Sequence, residues 1–303
     1  MRDKFIQKLT DLATEDDKIF LIVGDLGFGV VEDFAKQFPG RFLNAGISEQ
    51  NMMGVAAGLA KSGLKVYVYS IANFPTMRCL EQIRNDVAFH DLDVTVVAIG
   101  AGFGYGTLGY SHFAVEDLAV LRALPNMKIF SPSDTYELEV TLEEITNVPG
   151  AKYLRLGKNG EQSLGNSVLS SPFEARRLRT GSELAVLSTG GISHEVMKAI
   201  QSLDDDSRLR VAHFTVPSLR YETLNSIGLD SFKKILTVEE HCLDAGFGSF
   251  ILEYLESQQI SSQVKRLGIP RDFYYEVGDQ GYLRKLAGLD EQSISTQIQN
   301  LIG

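Results

Sequence analysis

At 303 residues the chain has room for one large domain or two ordinary ones, and 44% apolar with 22% charged residues is a globular composition. A net charge of −10 argues against a nucleic-acid footprint and against attraction to anionic membrane surfaces. No apolar run approaches the roughly 20 residues that span a bilayer; the charged start Met1-Arg-Asp-Lys-Phe-Ile-Gln lacks a signal-peptide core, and Cys79 and Cys242 form no metal-like pair, so a reduced cytoplasmic setting is expected.

Residues 2–15 read as an amphipathic helix with Phe5, Ile6, Leu9 and Leu12 on one face. Ile19-Phe-Leu-Ile-Val is a continuous apolar run, suited to a parallel strand covered on both sides. It ends in Gly24-Asp-Leu-Gly-Phe-Gly, and turns after such strands are where α/β proteins hold ligands. The alternative is a plain strand-to-helix turn with Asp25 as a cap. A short helix over 31–38 and a Pro39-Gly40 turn lead to Asn44-Ala-Gly-Ile-Ser-Glu-Gln-Asn. Here Ser48 is placed to cap a helix that begins with Glu49. Gly54, Ala56, Ala57, Gly58 and Ala60 let that helix pack closely against something flat. An acid in the first turn is favoured by the helix dipole. Buried there, it would be fit to share a proton with a heterocycle nitrogen; on spacing alone, an acid that only stabilises the helix is the simpler reading.

A strand over 65–70 delivers Ile71-Ala-Asn-Phe-Pro-Thr-Met-Arg. The strand over 93–99 opens into a glycine-rich stretch that ends at His112. Gly104, Gly106 and Gly109 fit G-x-G-x-x-G, but no helix follows at once and no acid stands at a second strand end. A flexible active-site loop is the better reading, because glycines let backbone approach a ligand closely. A helix over 118–124, a strand and turn through Pro125-Asn-Met-Lys-Ile-Phe-Ser, a helix over 135–146 and a strand at Lys152-Tyr-Leu-Arg-Leu-Gly follow. Residues 158–180 are polar and turn-rich; a linker over 161–177 divides a domain of residues 1–160 from one of residues 178–303. In the second, strands at 184–189, 209–214 and 234–241 alternate with helices at 193–203 and 221–227. The expected fold class is α/β, two tandem three-layer domains, the second smaller.

Asn44-Ala-Gly-Ile-Ser-Glu-Gln-Asn resembles the pyrimidine-domain motif of thiamine-diphosphate enzymes of the transketolase family. Leu80-Glu-Gln-Ile-Arg-Asn, Ser111-His-Phe-Ala-Val-Glu-Asp and Glu239-Glu-His-Cys-Leu-Asp-Ala-Gly-Phe-Gly-Ser extend the resemblance over nearly the whole chain, to the later part of a full-length transketolase. It implies a pyrimidine-binding domain followed by a transketolase C-terminal-like domain. It implies that Glu49 contacts N1′ of the cofactor's aminopyrimidine and drives its tautomerisation. Asp25 and Leu26 would touch the thiamine, Phe74 would stack on the ring, and Ile71 would form an aliphatic wall where many members carry an aromatic. Arg78 would complete the cofactor contacts. His112 would move protons or hold substrate oxygens, work that suits an imidazole. Arg155 would bind substrate phosphate through its fork-shaped guanidinium. Read without the resemblance, Phe74 is core, His112 is a structural histidine at a helix start, and Arg155 is a surface or interface residue. Glu239 and His241 read as a hydrogen-bonded structural pair.

There are two departures. Leu108 stands where full transketolases carry an Asp for a substrate hydroxyl, and Gly100 where they carry a second His. Recognition of the usual ketose phosphates is therefore not implied. The Gly-Asp-Gly that would hold diphosphate through Mg²⁺ is also missing; Gly278-Asp-Gln-Gly has the wrong context. A separate N-terminal subunit is expected to supply that half, in an α2β2-like assembly that moves a two-carbon ketol unit from a ketose to an aldose. The alternatives are a 2-oxoacid dehydrogenase E1 β-type subunit, a deoxyxylulose-phosphate-synthase-like enzyme, and a non-catalytic subunit that keeps only the fold.

Overall fold

Strands that are apolar along their whole length need cover on both faces, and both sheets of this chain have it. The computed structural model describes residues 1–158 and 161–303. Asn159 and Gly160, at the start of the polar stretch, lie outside the described residues. The first domain comprises α1 (Arg2–Glu15), β1 (Ile19–Val23), α2 (Glu32–Gln37), β2 (Phe42–Asn44), α3 (Glu49–Lys61), β3 (Lys65–Ile71), α4 (Leu80–Gln82), β4 (Val94–Ile99), α5 (Asp117–Arg122), β5 (Lys128–Phe130), α6 (Thr135–Ile145) and β6 (Lys152–Leu156). Its six strands are parallel, in the order β2-β1-β3-β4-β6-β5. Along β3, Val66 and Val68 pack with Met52, Met53 and Ala56 of α3, while Tyr67 and Tyr69 face Phe5 and Leu9 of α1 and Leu138 of α6. That alternation makes three layers. From β1 the chain moves outward to β2, then returns to β3 on the other side of β1. The crevice above β1 and β3 is therefore a topological switch point, where open α/β sheets bind ligands.

The second domain comprises β7 (Arg176–Arg179), β8 (Leu184–Ser188), α7 (Ser193–Gln201), α8 (Asp205–Arg210), β9 (Val211–Thr215), α9 (Tyr221–Asn225), β10 (Lys234–Cys242), α10 (Phe247–Ser257), β11 (Gln263–Ile269), α11 (Gln280–Leu286) and α12 (Glu291–Ile302). The strand order is β11-β10-β8-β9-β7, with only β7 antiparallel. Two details differ from expectation. Residues 205–210 are helical, because the Asp204 carboxylate accepts the Ser207 N–H and caps the turn, so the strand starts at Val211. The stretch read as a linker also contains the start of β7. Its Arg176 is buried, paired at 2.8 Å with Asp134 of the first domain. Among the described residues no helix is long and apolar enough to cross a membrane.

A polar seam joins the domains. Cys242 N–H donates to Val115 O at 2.7 Å and Ser131 N–H to Pro217 O at 2.7 Å. Gly102, at φ +61°, admits the Glu240 side chain so closely that a Cβ would stand 2.5 Å from its Cγ. Glu239 and His241 do not hydrogen-bond one another: Nδ1 and Oε2 are 3.7 Å apart. Each serves a helix N-terminus instead. Glu239 accepts from Phe247 N–H (2.5 Å) and Gly248 N–H (2.8 Å) at α10. His241 Nε2 accepts from Leu118 N–H (3.1 Å) and Ala119 N–H (3.3 Å) at α5, and its Nδ1 donates to Cys242 O at 2.8 Å.

Burial lowers His241 to about 4 and His213 to about 3, so both rings are neutral in the folded chain. Unfolding frees them to bind protons near pH 6.5. Their contribution is therefore present above that pH and is lost as pH falls towards the folded values. For His241 alone the loss between pH 7 and pH 5 is about 2 kcal/mol. Urea midpoints should fall across that window, and the fall should be shallower in His241→Gln.

Candidate active site

Three loops converge above β1, β2 and β3. The first carries Asp25, whose backbone is left-handed at φ +54°. Asn44, at the end of β2, explains how that conformation is held. Its Oδ1 accepts the N–H groups of Asp25 and Gly46, both at 3.0 Å, and its Nδ2 donates to Asp25 Oδ1 at 3.2 Å. Asp25 is thus tied to the neighbouring turn and caps no helix. Leu26 is half-buried and leans on the core beneath α1 and α2.

The second loop runs into α3. Ser48 precedes the helix, but its hydroxyl donates to Ala45 O at 2.7 Å and makes no side-chain cap. Glu49 follows as the first helical residue, 6% exposed. It borders a cavity of about 480 Å³ lined by Ile47, Ser48, Glu49, Gln50, Asn51 and Arg78. Gly54 and Gly58 face open space, while Ala56, Ala57 and Ala60 are buried in the core, so only the glycine side of α3 is left uncovered by this chain.

The third loop leaves β3 at the half-buried Ile71. Phe74 presents its ring to His112, with centroids 5.0 Å apart at 65°. Arg78 Nη1 reaches Glu49 Oε1 at 3.0 Å, and its guanidinium lies 4.0 Å from the centre of the Phe74 ring. Glu49, Arg78, Phe74 and His112 therefore form one continuous group. His112 is lowered from its ordinary range, first by burial and then by the nearby Arg78 charge, so the ring is neutral at neutral pH. Ser111 Oγ lies 3.0 Å from His112 Nδ1. Asn73 Nδ2 donates to Ser111 O at 2.8 Å and fastens the His112 turn to the β3 loop.

Asn44, Asn73 and Ser111 were not singled out by sequence reasoning. Asn44 stood inside a motif read for its acid; an Asn among Ala, Phe and Pro carries no signal that it will hold a distant carbonyl.

Arg155 is not brought to this group. It is 3% exposed, and its Nε and Nη2 are spent on Asp117 (2.7 and 3.3 Å), Ala114 O (2.8 Å) and Glu240 O (3.1 Å). Its surroundings offer a structural ion pair within the first domain and one hydrogen bond to the second, not the substrate-phosphate contact expected. Leu108 is 53% exposed. A side chain at Gly100 would run into the ring of Tyr105, which fills the space the family's histidine would need.

A half-enclosed acid, an aromatic face and a neutral imidazole can hold a planar heterocycle and move a proton beside it. The geometry fits the pyrimidine half of thiamine diphosphate: an acid for a ring nitrogen, a ring to stack on, and an open mouth. Fold and site define a tandem α/β chain of the pyrimidine-domain plus C-terminal-domain class.

The comparisons agree. The family "Transketolase, pyrimidine binding domain" matches residues 1–160 and "Transketolase, C-terminal domain" matches residues 174–294. A Methanocaldococcus jannaschii protein described provisionally as a transketolase C-terminal section is 32% identical over 98% of this chain and 95% of its own length. A 1-deoxy-D-xylulose-5-phosphate synthase from Syntrophus aciditrophicus is 35% identical over 98% of this chain, which spans 46% of that enzyme. Among solved structures, "Split gene transketolase, inactive beta4 tetramer" is 30% identical with a TM-score of 0.87, covering 99% of this chain and 97% of that one. The chain belongs to the transketolase family.

Two outcomes follow from the geometry. Asn73→Ala should free the His112 turn, and its NMR titration midpoint should rise towards the ordinary histidine value as burial is lost. Arg155→Ala leaves Asp117 buried and uncompensated, which costs about 3–5 kcal/mol. Urea unfolding should register that loss as a lower midpoint.

Proposed function

We propose that this chain is the pyrimidine-side subunit of a split, thiamine-diphosphate-dependent transketolase that moves a two-carbon ketol unit from a ketose to an aldose. The observation that carries the reading is the buried Glu49, joined through Arg78 to the Phe74 ring, at the switch point of the sheet. When bound, thiamine diphosphate supplies the electron sink for carbon–carbon cleavage next to a carbonyl. Glu49 holds a proton at N1′ of the aminopyrimidine. Phe74 stacks on the ring, an offset contact worth about 0.5–1.5 kcal/mol beyond burial. Asp25, Leu26 and Ile71, on the loops beside the cavity lining, are assigned the remaining contacts with the thiamine. Ser111 engages Nδ1 of His112 and leaves Nε2 to accept and return a proton at a substrate oxygen.

The diphosphate and its Mg²⁺ are assigned to a separate chain. This rests on the near-complete coverage of a split-gene relative and on the half-length coverage of a one-chain relative. An apolar rim supports a partner at the site: Ile47, which lines the cavity, is 77% exposed, Met77 beside Arg78 is 44% exposed, and Phe28 on the Asp25 loop is 73% exposed. Self-association through the open face of α3 completes an α2β2-like assembly in this reading, in a cytoplasmic enzyme.

The similarity to deoxyxylulose-phosphate synthase favours a second reading, in which the donor is a 2-oxoacid and the first step is decarboxylation. Carbon dioxide release from pyruvate by the reconstituted complex would select it over ketol transfer.

The purified chain should lack ketol transfer and gain it when mixed with the complementary subunit. In that complex Glu49→Ala should abolish turnover with the circular-dichroism spectrum unchanged. Turnover surviving in Glu49→Ala would remove the role given to the acid. His112→Asn should lower kcat about 10²–10⁴-fold.

A further inference from the structure

Resting on that reading, we propose that Arg78 is an internal stand-in for the aminopyrimidine ring: it occupies Glu49 and Phe74 when the site is empty and must swing out for the ring to bind. A guanidinium is planar and carries N–H donors along its edge. Here it meets the two groups that the ring would use. Its Nη1 donates to Glu49 Oε1 at 3.0 Å, and its Cζ lies over the Phe74 ring, 4.0 Å from the ring centre. Both cannot serve Arg78 and a bound heterocycle in the same way at once.

The arrangement also answers a cost within the empty site. Glu49 is 6% exposed, and a buried carboxylate without a partner is strongly unfavourable. Arg78 supplies the partner. Release is cheap because the Arg78 side chain is 49% exposed, on the short 3₁₀ turn Met77–Cys79, with water beside it. The neighbouring Met77 is exposed as well, so the outer side of the turn is open to the swing while the buried Cys79 anchors the backbone. Arg78 then acts on the cofactor by competition, weakening ring binding without touching the bound ring.

The test is titration of the full chain with 4-amino-2,5-dimethylpyrimidine, the bare neutral ring, followed by NMR shifts. Loss of the shifts in Glu49→Ala places the ring in this cavity. Arg78→Ala should bind about 3- to 10-fold more tightly than the wild type, the scale set by a half-exposed ion pair and one cation–π contact. Arg78→Lys keeps a charge for Glu49 but loses the flat face, and should fall between them. Unchanged or weaker binding in Arg78→Ala, with the wild type binding normally, would overturn the stand-in and leave the cofactor reading in place. Ring binding absent from the wild type and both variants would overturn the two together.

Discussion

The carboxylate of Asp117 holds the two domains and the candidate chemistry in one frame. It is buried, accepts the Tyr153 hydroxyl at 2.5 Å, and pairs with Arg155 at 2.7 Å. Arg155 carries the link onward to Ala114 O and to Glu240 O of the second domain. A buried pair of this kind adds little net stability, but breaking it is expensive, so its geometry is fixed. The next residues, Leu118 and Ala119, give their N–H groups to His241. The turn that carries His112 therefore hangs between two anchors, the Asp117 cluster on one side and the Asn73 tether on the other. The cavity beside Glu49 is lined by residues 47–51 and 78 of the first domain. What the second domain gives the site is position.

This division explains what could be read from the chain alone. The central strands β1, β4 and β8 announced themselves because parallel strands covered on both faces are largely apolar, whereas the edge strand β11, Gln263–Ile269, carries too many polar residues to be read so. The proposed cofactor end was legible only through the family resemblance, since on spacing alone Glu49 reads as a helix-stabilising acid and Phe74 as core. The seam was not legible. Arg155 and Asp117 are 38 residues apart, and Arg176 and Asp134 are 42 apart. A buried charge whose partner lies that far away looks, in sequence, like any surface charge. The same ambiguity hid β7, whose residues Arg176–Arg179 carry none of the apolar or β-branched character of a strand. It also made Glu239 and His241 look like a pair, when each instead satisfies the free N–H groups of a different helix.

The two ends of the site obey different constraints. At the ring end, Glu49, Phe74 and His112 supply the acid, the face and the imidazole together, in mutual contact through Arg78. Farther along the glycine loop the polar complement thins. The Tyr105 ring occupies the space at Gly100, and Leu108 offers neither donor nor acceptor. Chemistry performed by a cofactor leaves the protein no latitude at the heterocycle, since the ring's nitrogens and faces are the same in every reaction. The substrate changes from enzyme to enzyme, and specificity for a hydroxyl depends on buried groups that would be left unpaired without it. In the proposed reading, the groups around Glu49 answer the cofactor's ring, and the aromatic ring and aliphatic side chain of the loop stand where the family carries a histidine and an acid for its sugars.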